Sequence, residues 1–437
     1  MLQVGFARTD ITPPLGTYMA GYFHSRYATG ILDPIELNAV AFSDGESKAL
    51  LITADMLGIG SGYDTKIRGQ ISARTGVPAD HIMTMALHQH TSIYLNPEND
   101  NNVLEDHDFL NWLYRKFCDV AQMALDDLSE ATAGTAAREA DHQLSFVRRY
   151  WMKDGTVKTN PGFKHQSEID RPAADADNTV RLIRFKREGK NDVAVVNFCT
   201  HPDVIGGDKF SADWPGFVRR FVEADHEGVS CIFINGCQGD TNHIDYIGWK
   251  DTPHGPEGHY GHSRFMGRTI ADAVCAMWDH TTPRKADRVG AAVTAVYERT
   301  RTDGAEEYEK CKAIYDEFQR TGERPADASM RNMAYLRRVA AMMEYKIFYT
   351  IRVSAVTLGD IGFFGYAGEP FTRYETAVQK AFPDRFLISA CCANGYEGYL
   401  PTKEAFDEGG YEATSSIFTP ALEGKCESAA IELLKNI

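Results

Sequence analysis

His88-Gln89-His90 is the stretch of this sequence whose residue types and spacing point most directly to chemistry. It closes an apolar run, Ile82-Met83-Thr84-Met85-Ala86-Leu87, that reads as a buried strand. Residues two apart on a strand point to the same side. The spacing therefore predicts that His88 and His90 share a face, where two imidazoles can meet one metal ion. The competing reading is a pair of core histidines with satisfied hydrogen bonds. His201, Asp240, Glu369 and Tyr399 stand in a similar position, at or just beyond the ends of apolar, strand-like segments. In open α/β sheets, ligand sites collect at the carboxyl ends of strands. This shared placement says more than any one residue. Taken alone, His201 before Pro202 could simply bind a backbone carbonyl. Glu369, between Gly368 and Pro370, suits a metal ligand or a general base, or equally an acid at a helix N-terminus. Tyr399 could be a packing aromatic.

Other candidates are weaker. Arg148 and Arg149 could grip a substrate carboxylate, or be a solvated pair. Asp55 follows a strand and could be catalytic or a hydrogen-bond anchor. Asn235 to Asn242 has the outline of an anion-cradling glycine loop but lacks Gly-Lys-[Ser/Thr], which rejects a nucleotide P-loop. His254, His259 and His262 fall in a polar stretch that reads as a loop, able to hold a second metal or merely solvated.

These residues must be positioned by alternating elements. Strands are expected at Leu37–Phe42 and Ala49–Thr53 around Ser43-Asp44-Gly45, at Val180–Phe185, Val193–Cys199 and Cys231–Ile234, and at Arg288–Glu298. Further strands are expected at Val353–Leu358 and Ile361–Tyr366 around Gly359-Asp360, and at Phe386–Cys391. Helical spacing covers Tyr63–Thr75, Asp108–Leu128, Trp214–Ala224, Ser263–Met277, Ala305–Arg320, Ser329–Tyr345, Phe371–Ala381 and Gly424–Leu434. Asp141 to Ala176 is polar and without pattern. Strands alternating with helices predict an α/β fold, mixed β-sheets flanked by helices, with residues 1–437 as a single domain.

Composition narrows the function. The 437 residues are 43% hydrophobic and 24% charged, ordinary globular values. A net charge of −15 argues against nucleic acid or an anionic membrane as the main partner. No apolar run approaches a membrane span. The first residues lack the pattern of a secretory leader. The nine cysteines include no Cys-x-x-Cys pair and read as reduced thiols of a cytoplasmic protein. A small-molecule substrate fits these bounds, and a homo-oligomer is left open.

Several ordered motifs resemble the catalytic domain of the neutral, non-lysosomal ceramidases. Val4-Gly5-Phe6-Ala7-Arg8-Thr9-Asp10-Ile11-Thr12 is similar to the family's opening. His88-Gln89-His90-Thr91 resembles its His-Thr-His-Ser, and Asn197-Phe198-Cys199-Thr200-His201-Pro202 its strand ending in His-Pro. Ser211-Ala212-Asp213, Gly239-Asp240, Gly368-Glu369 and Tyr396-Glu397-Gly398-Tyr399 follow in the family's order, then Thr402, Glu404 and Tyr411-Glu412. The resemblance implies one zinc ion held by His90, His201, Glu369 and Tyr399, and hydrolysis of the amide bond of N-acylsphingosine. Zinc with an open position polarises an amide oxygen and lowers the pKa of water to about 7. His88 would then orient a ligand or move a proton. Asp240, Thr241 and Asn242 would belong to the catalytic turn, and Arg148, Arg149, Tyr396 and Asp55 to substrate binding.

The sequence departs from the family in three ways. Asn242 stands where the family has a serine, with Thr241 as the adjacent hydroxyl. The family's C-terminal immunoglobulin-like domain and its secretory leader are both expected to be missing. The reading is therefore a zinc-dependent hydrolase of an amide with a more polar substrate than ceramide. The alternatives are a hydrolase or isomerase acting on a sugar-like molecule, and a non-catalytic metal- or ligand-binding relative.

Overall fold

The computed structural model describes residues 1–97, 101–251 and 258–437. Two sheets pack face to face. The larger is nine-stranded. From one edge its order is Val229–Asn235, Asp192–Phe198, Thr179–Arg187, Ser129–Glu139, Gln3–Asp10, Glu36–Ser43, Lys48–Ala54 and Ile82–Ala86. The short strand Thr282–Arg284 pairs beside Ser129–Glu139. The smaller sheet is four-stranded, in the order Val289–Arg299, Phe348–Leu358, Ile361–Tyr366 and Phe386–Ala390.

Burial explains the strand sequences. Val40, Phe42, Leu51, Met83, Ile183, Phe185, Val195 and Ile232 of the large sheet meet Val356, Leu358, Phe363 and Ile388 of the small one in a shared apolar core. The outer face of the large sheet is covered in two patches. Helices Ser61–Thr75 and His107–Asp126 cover one, with Ile67, Leu113, Phe117 and Val120 turned inward. Helices Asp213–Asp225 and Gly258–Met277 cover the other, with Trp214, Val218, Met266 and Ile270. Helices Thr372–Ala381 and Leu422–Asn436 cover the outer face of the small sheet through Tyr374, Val378, Cys426 and Leu434. Strands buried on both faces cannot alternate polar and apolar residues, so Glu36–Ser43 and Ile82–Ala86 read as near-continuous apolar runs. The helical hairpin Tyr308–Thr321 and Met330–Ala340 has its own small core around Phe318, Met333 and Val339.

Most pairs in the large sheet are antiparallel, and three of the parallel pairs join consecutive long strands through helical crossovers. Lys48–Ala54 crosses through Ser61–Thr75 to Ile82–Ala86. Asp192–Phe198 crosses through Asp213–Asp225 to Val229–Asn235. Ile361–Tyr366 crosses through Thr372–Ala381 to Phe386–Ala390. Hydrogen bonds draw their carboxyl ends together. Asn235 Nδ2 donates to Leu87 O at 3.2 Å, Cys391 N to Asn235 O at 3.0 Å, and Asn394 N to Thr84 O at 2.8 Å. One end of each sheet thus becomes one surface.

Three local expectations are corrected. The strand that begins at Ile82 stops at Ala86, and His88 has φ 74, so His88 and His90 lie in a turn and not on a strand. His259 and His262 lie on the helix Gly258–Met277 instead of in a loop, because the polar first turn hides the helical start; His254 lies outside the described residues. The patternless stretch after Asp141 holds the strands Phe146–Val147, Arg149–Met152, Val157–Thr159 and Ile169–Pro172. They are too short to show alternation. Phe146–Val147 takes its partner, Thr241–Asn242, from a distant part of the chain. Among the described residues, no helix is long and apolar enough to cross a membrane.

Candidate metal and catalytic site

The loops leaving the three crossovers bring His88, His90, His201, Glu369, Tyr396 and Tyr399 together. The ligand atoms of His88, His90 and His201 lie within 4.8 Å of one another. Their ring centroids are 5.0 Å (His88–His90), 5.1 Å (His88–His201) and 5.7 Å (His90–His201) apart. Glu369 enters from the short strand Glu369–Pro370, whose parallel partner is Tyr399–Leu400; Glu369 pairs directly with Tyr399. Its Oε2 stands 3.3 Å from His88 Nε2 and 3.2 Å from His201 Nε2. Its Oε1 accepts from Tyr396 Oη at 2.6 Å.

The far side of each ring fixes its tautomer. His88 Nδ1 meets Leu57 O at 2.8 Å. His201 Nδ1 meets Gln238 O at 3.0 Å and Thr241 O at 3.1 Å. A carbonyl can only accept, so Nδ1 carries the proton in both rings and each neutral Nε2 presents a lone pair. Two lone pairs and a carboxylate oxygen therefore face one another with no hydrogen between them. Both ring nitrogens of His90 are also buried without a hydrogen-bond partner, as is Glu369 Oε2. Such a set calls for a cation or an extra proton. Without a metal, the Glu369 carboxylate outweighs the effect of burial and raises the His88 pKa. The same histidine neighbours overcome burial to hold the Glu369 carboxyl well below its usual range. Burial and Arg148 bring His201 down to about 3, and burial and His88 bring His90 well below the ordinary imidazole value. Imidazole nitrogens with an outward Nδ1–H on a carbonyl, plus a carboxylate, are a donor set suited to zinc.

Arg148 borders this group. Its Nη1 lies 3.3 Å from His201 Nε2, its guanidinium lies 5.1 Å from the Tyr399 ring, and its Nε lies 2.6 Å from Glu412 Oε1. Tyr399 stacks on His201 at 6.5 Å, and burial pushes its hydroxyl pKa well up. Tyr396 stacks on His88 at 5.8 Å.

The other predicted residues sit differently. Asp240 is buried and accepts from Thr372 N at 2.8 Å and Thr372 Oγ1 at 2.9 Å, at the start of the helix Thr372–Ala381. Thr241 Oγ1 turns to Gln238 O. Asn242 lines a cavity beside His201, donates to Asn160 Oδ1 at 2.5 Å and accepts from Ile244 N at 3.0 Å. Arg149 is held by Glu408, Glu412 and Gly409 O. Asp55 is paired with Arg219 at 2.6 Å and also accepts from Glu36 N and Gln89 Nε2. Tyr22, Asp203 and Glu412 border the group, although sequence reasoning gave none of them a role; only Glu412 carried a signal, as part of a motif. A second cluster, Asp177, Cys199 and Glu375, has metal-like spacing. It already contains the Arg181 guanidinium, 2.7 Å from Asp177 and 3.2 Å from Glu375, which occupies a cation's place.

No protein-family model matches the sequence. No curated protein matches it either. The shape does match. A neutral ceramidase from Pseudomonas aeruginosa superposes with a TM-score of 0.73, over 99% of this chain and 74% of that one, at 14% identity. A structure described as ceramidase complexed with C2 superposes with a TM-score of 0.71 and the same coverage and identity. This chain has the neutral ceramidase fold. The fold expectation drawn from the ordered motifs therefore holds, at 14% identity.

Proposed function

We propose that this protein is a metal-dependent hydrolase cleaving an amide (N-acyl) bond of a small molecule. The observation that carries the proposal is the meeting of His88 Nε2, His201 Nε2 and Glu369 Oε2, three acceptors facing one another, of which His201 Nε2 is also met by Arg148 Nη1 at 3.3 Å. These residues would hold the ion, with His90 and Tyr399 beside them. His88 thus joins the ligand set, because its Nδ1 is already committed to Leu57 O and its Nε2 faces Glu369. When bound, a zinc ion supplies Lewis acidity, polarising a carbonyl and making water acidic enough to attack near neutral pH. Tyr396 fixes the glutamate by donating to Oε1. His90 stands 3.6 Å from Asp203, and burial of its ring nitrogens and the neighbouring His88 hold it neutral beside the place of the ion. Arg148 offers cationic donors to an oxygen that gains charge. Kinship of fold with ceramidases supports the amide class. All nine cysteines are free, which suits a reducing compartment such as the cytoplasm.

Elemental analysis tests the site. The wild type should hold about one divalent ion, and His201→Ala and Glu369→Gln should lose it, since each removes one protein ligand. Full metal content in both variants overturns the assignment. A panel of N-acyl amides, esters and glycosides, assayed with zinc-loaded and chelator-treated protein, tests the reaction. The expected result is chelator-sensitive turnover confined to the amides.

A further inference from the structure

Beside His201 lies a cavity of about 200 Å³. It opens off the three-histidine group, since His201 and Arg148 belong to its wall. A water's share of the liquid is about 30 Å³, so the space takes roughly seven water-sized groups. Pockets for drug-sized ligands are larger, about 300–1,000 Å³. Among the described residues, the aliphatic side chains of its wall are Val204 and Ile244. Elsewhere the wall carries hydrogen-bonding groups, among them Asn160, Asp203, Asn242 and His243.

Two of these polar groups are incomplete. His243 is buried, and its Nδ1 has no hydrogen-bond partner; Arg148 Nη2 is buried without one as well. An unpaired buried polar atom is costly, so a site that keeps two of them in a cavity wall is suited to a ligand that completes them. The wall carries charge of both signs. Arg148 is paired with Glu412, and Asp203 accepts from Tyr22 Oη at 3.0 Å. The cavity therefore has unfilled hydrogen-bonding capacity, and an anionic ligand group would meet the Asp203 carboxylate while a cationic one would meet the Arg148 guanidinium. An alkyl chain would leave the polar atoms unpaired. A hydroxyl both donates and accepts, so it answers His243 Nδ1 in either tautomer of the ring.

We infer that this cavity is a subsite for an uncharged, hydroxylated portion of the substrate, with His243 as its specificity-determining residue, and that the substrate class is N-acylated amino sugars. The inference rests on the hydrolase reading for the bond that is cut, but the binding preference stands on the cavity alone.

The test is binding of three probes to the intact protein by calorimetry or saturation-transfer NMR: N-acetylglucosamine, N-acetylglycine as a charged amide, and N-palmitoylethanolamine as a long apolar one. The wild type should prefer N-acetylglucosamine. His243→Leu should weaken that probe about tenfold, the scale of one hydrogen bond to a buried group, with metal content by elemental analysis unchanged. His243→Gln, which keeps a polar group, should recover part of the loss. Should the leucine variant not fold, the glutamine variant and the wild-type order of preference decide the matter. Equal or tighter binding of either other probe overturns the inference, as does unchanged affinity in His243→Leu. A wild type that holds no metal but keeps the preference counts against the hydrolase reading and supports the subsite.

Discussion

Replacing Tyr396 with phenylalanine isolates one hydrogen bond. The ring has its own reasons to stay: it stacks on His88 at 5.8 Å, meets Tyr94 edge-on at 5.6 Å, and lies under the backbone of Gly58. Phenylalanine keeps those contacts and loses only the hydroxyl, which donates to Glu369 Oε1 at 2.6 Å. A bond of that length to a buried carboxylate is charge-assisted, and such bonds contribute about 1.5–3 kcal/mol. The bond also sets which oxygen faces the histidines. With Oε1 pinned, Oε2 points at His88 and His201; unpinned, the carboxylate can rotate and present neither oxygen well. Residues that orient a metal ligand in this way typically cost 10–100-fold in affinity when removed, which corresponds to about 1.4–2.7 kcal/mol. The two estimates agree. Zinc titrated against a chromogenic competing chelator should therefore show a dissociation constant 10–100-fold higher in Tyr396→Phe, with the far-ultraviolet dichroism of the wild type. A dissociation constant within twofold of wild type refutes the argument, because Glu369 would then be oriented by something other than Tyr396.

Two further outcomes follow from the geometry. At Gly21, where φ is +106, a Cβ would lie 2.7 Å from His90 Nδ1, so Gly21→Ala should displace the His90 ring; turnover should fall at least tenfold, while the backbone strain costs about 1–3 kcal/mol in thermal unfolding. Glu427 bears on stability alone: burial and the neighbouring Glu423 raise its pKa to about 7. The folded state thus holds this proton more tightly than the unfolded chain, and its stability falls as pH rises from about 4.5 to 7. Glu427→Gln removes that titration. Discounted for partial solvent exposure, the variant should be about 1 kcal/mol more stable than wild type at pH 8 and indistinguishable at pH 4 in denaturant titrations.

What the sequence disclosed follows from what local patterns can carry. Apolar runs ending in a lone polar residue are local, and the three crossovers turn them into one surface; that is why His90, His201, Glu369 and Tyr399 could be singled out from placement and motif order, and why they now stand together. The role of His88 was harder to see. Its period-two relation to His90 suggested a shared strand face, but the backbone reverses at His88. The two rings meet because a turn folds one toward the other. Nothing in the sequence reports that the Nδ1 of each flanking histidine is spoken for by a distant carbonyl, and that detail fixes which nitrogen is left for a ligand.

Charged residues were legible only as charges. Asp55 and Arg219 are 164 positions apart, and their pairing withdraws Asp55 into the support of the Glu36–Ser43 strand. Arg148 and Arg149 look alike in sequence, yet Arg148 lies between the strands Phe146–Val147 and Arg149–Met152 while Arg149 begins the second, and they go different ways. Arg149 is enclosed by Glu408, Glu412 and a carbonyl, whereas Arg148 shares Glu412 and keeps Nη2 unpartnered at the cavity. The same contrast applies to the turn after Val229–Asn235. Asp240 and Thr241 face inward to hold a helix and a carbonyl, and Asn242, one residue on, reaches the cavity wall. Asn242 has no hydroxyl, and its carbonyl oxygen is taken by Ile244 N. This turn therefore contributes shape and amide hydrogen bonding at the cavity, and no hydroxyl at position 242.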